Sequence, residues 1–122
     1  MTTTRWQRDG IPVLSAYIEH RTRGVAGPPV ELLRAWCKWC CRWHEHGLGG
    51  SGVGDYTDRS AHCSAPDSPY TATGYYLLVT DTPFSAIRTA VKQATTRQRS
   101  AIRAGRISPA VQRLRDQPQP RG

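Results

Sequence analysis

All four cysteines of this chain and three of its four histidines fall between Cys37 and Cys63. Cys37 and Cys40 stand at C-x2-C spacing, which lets a single turn present two thiolates to one tetrahedral ion. His44 and His46 follow closely, and His62-Cys63 arrives after a glycine-rich gap. If Cys41–His46 and Arg59–Cys63 pair as a hairpin around that gap, Cys63 returns beside the C-x2-C turn. Cys37, Cys40 and Cys63 then offer three thiolates to Zn2+, and a histidine completes the set. His44, at C-x2-C-x3-H spacing, is the first choice for that fourth ligand. His62 and then His46 stay open as alternates, because the register of such a hairpin is not fixed by sequence. Cys41 reads as a small buried apolar residue. A redox dithiol would sit at the helix start of a thioredoxin-like unit, and no such unit is visible.

The elements that must position these ligands are short. Ile11–His20 alternates imperfectly and reads as an edge strand, and Val30–Trp36 reads as a strand leading into the first cysteines. Cys41–His46 and Arg59–Cys63 are the two hairpin strands, and Tyr75–Thr80 is a further strand rich in aromatic and β-branched residues. Thr82-Pro83 then opens a helix by cap-then-proline logic. Apolar residues at Phe84, Ile87, Val91, Ala94, Ala101 and Ile102 follow near a 3.6 period up to Gly105. Ser108-Pro109 opens a second, shorter helix over Ala110–Arg115. The expected fold is α+β: a small zinc-stabilised antiparallel sheet, zinc-ribbon-like, followed by one or two basic C-terminal helices. The expected organisation is a flexible leader over 1–10, a zinc-binding β-domain over 11–81, a basic helical arm over 82–116 and a disordered tail over 117–122.

Composition supports a metal-dependent fold. The chain has 122 residues, of which 38% are apolar, with one Phe and one Met. That stock builds a thin core, and small domains with thin cores recruit a metal, disulfides or a partner. Neither an export signal nor an apolar run long enough for a membrane span is evident, so a cytoplasmic location without membrane attachment is expected. In reducing surroundings four cysteines favour metal over disulfides.

Charge is unevenly placed. Residues 1–81 carry eight basic and eight acidic side chains, whereas residues 82–122 carry nine basic ones against Asp116 alone. The formal charge of +8 therefore lies in the last third of the chain. Such asymmetry points to a polyanion, nucleic acid first. Arg88, Lys92, Arg97, Arg99, Arg103 and Arg106 are the candidate phosphate contacts, and Trp36, Trp39, Trp43, Tyr75 and Tyr76 the candidate stacking surfaces.

The string C-x2-C, W-H-x-H-G (Trp43–Gly47), R-x-A-H-C (Arg59–Cys63) and S-P-Y-x3-G-Y (Ser68–Tyr75) resembles small, largely uncharacterised actinobacterial and actinophage zinc-ribbon-like proteins. The resemblance covers about a third of the chain and stops short of the basic helices. It implies a metal-stabilised β-domain and brings no established activity.

The leading expectation is a zinc-binding accessory protein that binds nucleic acid, DNA or RNA, through its basic arm, the zinc being structural. The alternative is a protein-binding adaptor whose zinc ribbon docks on a larger polymerase or phage complex. A metal-dependent enzyme ranks below both. His44-Glu45-His46 lacks the following P-C-x-x-C of zinc deaminases, H-E-x-x-H is absent, and no triad signature, P-loop or dinucleotide fingerprint is present.

Overall fold

The computed structural model describes residues 6–22 and 27–121. Apolar runs become strands in chain order: β1 (Gln7–Arg8), β2 (Ile11–Arg21), β3 (Val30–Cys37), β4 (Arg42–Gly47) and β5 (Tyr56–Arg59). A one-turn helix, α1 (Tyr70–Thr73), precedes β6 (Tyr75–Pro83), and three short helices follow: α2 (Phe84–Ile87), α3 (Thr96–Arg103) and α4 (Pro109–Arg115). The strands lie in the order β4-β3-β2-β6-β5, with β1 added beside β2. None of these helices is long and apolar enough to cross a membrane.

The class is α+β, but the sheet is mixed rather than antiparallel. β6 runs parallel to β2, pairing Leu14 with Leu77 and Ala16 with Val79. The interior place of β6 follows from its own residues, since Tyr75, Leu77, Leu78 and Val79 are all buried. A strand apolar on both faces belongs in the middle of a sheet. β6 therefore sits between β2 and β5, and β5 pairs with β6 instead of with β4. The expected hairpin between Cys41–His46 and Arg59–Cys63 does not form. Residues 60–63 leave the sheet altogether and cross to the cysteines as an irregular segment.

Gly74, between α1 and β6, has φ +67°, and a Cβ there would stand 2.7 Å from the Arg59 carbonyl oxygen. Only glycine admits that crossing.

Two apolar clusters flank the sheet. One gathers Leu14, Ala16, Leu33, Ala35, Leu77 and Val79 with Cys37, Cys40 and Cys41, and takes Ala94, Ile102, Val111 and Leu114 from the C-terminal segment. The other packs Tyr17, Trp36 and Trp43 against Phe84 and Val91. Residues beyond 82 thus belong to both clusters, so position 81/82 is not a packing boundary. The expected continuous helix from Phe84 to Gly105 is broken for the same reason. Its apolar residues serve opposite faces, and the chain must pass around the edge strand β4 between them. Trp43 marks the passage, its backbone N–H donating to Gln93 Oε1 (3.3 Å) and its indole N–H to the Arg88 carbonyl (3.3 Å). The Ala94 N–H then donates to the Cys41 carbonyl at 2.8 Å.

The first and last described residues are engaged as well. Of the expected leader, residues 1–5 lie outside the described residues, and Gln7–Arg8 form β1. Of the expected tail, Gln117 bonds to Lys92, Gln119 donates to the Trp36 carbonyl at 3.3 Å, and the Arg121 guanidinium stacks 3.7 Å from the Trp6 ring centroid.

One ion pair ties the helices to the segment carrying Cys63. Arg115, on α4, is 4% exposed and holds Asp67 through two bonds of 2.6 and 2.9 Å, with Trp39 stacked at 5.3 Å. That contact, first among its causes, holds the Asp67 carboxyl below the usual carboxylate range. Asp67→Asn leaves a buried guanidinium without its counter-charge, at a cost of about 1–3 kcal/mol. The urea midpoint should fall accordingly; an unchanged midpoint would show that the clamp contributes nothing.

Candidate metal centre

Cys37 closes β3, and a tight turn over residues 38–41 leads into β4. The turn is of knuckle form: the Cys40 N–H donates to Cys37 Sγ at 3.4 Å, which places both sulfurs on its inner side. Cys41 follows with φ +54°, the left-handed conformation that lets the chain re-enter the sheet. Its thiol turns away and donates to the Lys38 carbonyl at 3.4 Å. A non-glycine residue there carries strain of about 1 kcal/mol or more.

Cys63 reaches the same corner from the irregular segment, with Cys37 Sγ and Cys63 Sγ 3.7 Å apart. His44 joins from β4. Ligand atoms from Cys37, Cys40, His44 and Cys63 all lie within 4.8 Å of one another, and only Cys63 is not fully buried. This Cys3His set can hold a metal ion. The crowding of these sulfurs suits a cation. Hydrogen bonding with Cys37 and then Cys63 holds Cys40 well below the ordinary thiol range, while the bond with Cys40, then that with Cys63, pushes Cys37 far above it. Three crowded, mostly buried sulfurs are thus sharing protons that a cation would displace.

The surroundings orient the set. His44 Nδ1 lies 3.0 Å from the Tyr75 hydroxyl, whereas its Nε2 is buried with no hydrogen-bond partner. A buried, unpartnered ring nitrogen is costly unless something unseen satisfies it, and a cation does so. Tyr75 also meets His46 Nε2, at 2.5 Å. Burial, then the charges of His44, Arg59 and His62, lowers His46 to about 4, so its imidazole is neutral near pH 7. With His44 Nε2 on a metal ion, the His44 proton sits on Nδ1 and donates to Tyr75, whose O–H is then free to donate to His46 Nε2. Such outer partners fix the tautomer of a ligating histidine. Ser68 donates to Cys63 Sγ at 3.2 Å and Ser64 to Cys40 Sγ at 3.9 Å, spreading thiolate charge.

The other sequence candidates fall elsewhere. His46 serves Tyr75 rather than the ion, and His62 is exposed, its ring 6.2 Å from that of His46. Glu45 faces the other side of β4, where Arg21 (3.0 Å) and Arg34 (2.9 Å) hold its carboxylate. Trp36, Trp43 and Tyr75 are too deeply buried to stack on a ligand. Arg88, Lys92, Arg97, Arg103 and Arg106 are exposed and Arg99 half-buried, and none bonds to the cysteine corner among the described residues. Tyr75, Ser64 and Ser68 were not anticipated as supporting groups. Their signal in the sequence is adjacency, Ser64 next to Cys63 and Tyr75 beside the strained Gly74.

Cys37→Ser, Cys40→Ser and Cys63→Ser should each lose stoichiometric metal, whereas Cys41→Gly should keep it and relieve the backbone strain. Tyr75→Phe, which fills the same space, should weaken metal affinity about 10–100-fold by leaving both imidazoles unpartnered. Competition against a chromogenic chelator reads both effects, and wild-type affinity in Tyr75→Phe would remove Tyr75 from the site. Compared with family models, with curated proteins and with solved structures, the chain gives no match.

Proposed function

We propose that this chain is a structural zinc protein that binds nucleic acid through the basic surface of its C-terminal segment. Three thiolates and one imidazole are the donor set that zinc favours over harder cations. With four protein ligands no position is left open for a substrate, which supports a structural and not a catalytic ion. Binding free energies of about 10–16 kcal/mol for such sites match or exceed the whole stability of a small domain, so the ion decides whether the fold forms.

The observation that carries the nucleic-acid reading is unpaired charge. Of the nine basic residues after position 81, Arg115 alone is in an ion pair among the described residues. Arg88, Lys92, Arg97, Arg103, Arg106 and Arg113 all stand exposed. The other ion pairs lie in the first part of the chain, where Arg21 and Arg34 hold Glu19 and Glu45 and His20 faces Glu31. A surface whose exposed cations are in no ion pair among the described residues is suited to a run of phosphates.

Neutralising Lys92, Arg97, Arg103 and Arg106 together should weaken binding to every sequence alike. The slope of log K against log salt should flatten by roughly 0.7–0.9 for each phosphate that the variant no longer neutralises. Anisotropy titrations at several salt concentrations, on wild type and variant with matched metal content, provide the test. Equal and feeble binding by both proteins would reject nucleic acid as the ligand and favour the adaptor, whose affinity should depend on a few apolar anchors instead.

A further inference from the structure

The C-terminal segment carries more than charge: each of its two helices has its own start signal, and both sink one side into the same apolar cluster. α3 opens with a reciprocal capping box, Gln98 N–H to Thr95 Oγ1 at 3.1 Å and Thr95 N–H to Gln98 Oε1 at 2.8 Å. It stops at Gly105, with φ +78°, where the Gly105 N–H reaches the Ile102 carbonyl and the Arg106 N–H the Ala101 carbonyl, both at 2.9 Å. Ser108 then caps α4, accepting from the Val111 N–H at 3.2 Å, with Pro109 at the first helical position. Two short helices, each with its own start signal, are thus joined by a sharp glycine turn. Ile102, Val111 and Leu114 sink one side of both into the cluster that also contains the cysteines. Arg115 pins α4 from behind through Asp67, and Ala94 ties the approach to α3 onto Cys41.

The opposite side is left to solvent. On α4 it presents Gln112 and Arg113; a cleft of about 300 Å³ between the helices is lined by Thr95, Gln98, Ala110 and Arg113 among others. The Gln112 amide donates to Asp116 at 2.9 Å, an exposed bond along the helix that a base edge can replace. Arg97, Arg103 and Arg106 stand exposed on α3 and the turn. With its side chains an α-helix is about 10–12 Å across, which the roughly 12 Å wide major groove of B-DNA admits. Glutamine and arginine are the side chains whose paired donors and acceptors match adenine and guanine edges there. A helix held rigidly from behind, with those two residues outward and unpaired cations around it, has the parts of a helix-turn-helix reader.

We propose that α3, the Gly105 turn and α4 form a helix-turn-helix unit that reads duplex DNA, with Gln112 and Arg113 on base edges and Arg97, Arg103 and Arg106 on phosphates. The proposal rests on the nucleic-acid reading above and narrows it to one ligand and one groove. It also gives the metal a purpose, since the ion builds the platform on which α4 is set.

The test uses the full, metal-loaded chain and a pool of duplexes with a randomised core. After selection, affinities are measured for the enriched duplex, a scrambled duplex, the enriched single strand and the same sequence as RNA duplex. The enriched DNA duplex should bind at least about tenfold more tightly than each of the others. Gln112→Ala and Arg113→Ala, both exposed and checked for unchanged metal content and circular dichroism, should each lose about tenfold on the enriched duplex and little on the scrambled one. Arg97→Ala should weaken both duplexes alike. Enrichment of no sequence, equal binding of single strand and duplex, or loss in Gln112→Ala and Arg113→Ala that is the same on both duplexes would overturn the reader while leaving general nucleic-acid binding intact. Absence of binding to any of the four would overturn both readings.

Discussion

The structure depends on tying down a segment that the sheet does not hold. Residues 60–68 leave β5 without strand pairing, yet they must deliver Cys63 to Cys37 and Cys40 and Asp67 to Arg115. The ion-binding corner is where that segment meets the β3–β4 turn and His44. The demand on the sheet is equally specific. Tyr75 and His44 lie on strands separated by β2 and β3, about 14 Å apart in a flat sheet. Their side chains nonetheless meet at 3.0 Å, so the sheet curls over the centre. Without the ion, three mostly buried sulfurs and an unpartnered imidazole nitrogen would sit in the middle of the larger cluster, which is a reason for that cluster to open.

The remaining architecture is built outward from this corner. Cys41 accepts the Ala94 N–H, Trp39 stacks on Arg115, and the chain from Arg88 to Ala94 passes round the β4 edge to bring α3 and α4 onto the same side as the cysteines. The basic surface is therefore not an arm hanging from a metal domain. Its orientation is set by side chains that also shape the cysteine corner.

The ligand types were legible in the sequence because their chemistry is local. C-x2-C defines one turn, and His44 lies on the strand that leaves it with the alternation that returns its side chain to the Cys37 face. Cys63 was legible only as a residue type. The hairpin invoked to bring it back does not exist, and an irregular crossing past Gly74 does the work instead. Long-range pairing was the weak point throughout. Nothing local says that β6 runs parallel to β2; burying Leu77 and Leu78 on opposite faces accounts for its interior place in the sheet and not for its direction. The helix expected from Phe84 to Gly105 failed similarly: its period was sound, but Phe84 and Ile102 belong to different clusters. Capping was legible at one start and not at the other: Thr82 and Pro83 end β6, and α2 begins at Phe84 with no side-chain cap. The Ser108-Pro109 start stands within one residue of the expected place, because a cap is satisfied by its own neighbours.

The central claim is that one metal ion at Cys37, Cys40, His44 and Cys63 holds the fold together. Trp36 and Trp43, edge-to-face at 5.5 Å and rigidly packed, give a near-UV circular dichroism signal that reports tertiary order. The decisive measurement is to titrate the purified protein with a strong chelator and follow that signal and released zinc together. One equivalent of zinc per chain should leave as the tryptophan signal collapses, and re-addition of zinc should restore it. Complete release with the spectrum unchanged would contradict the claim.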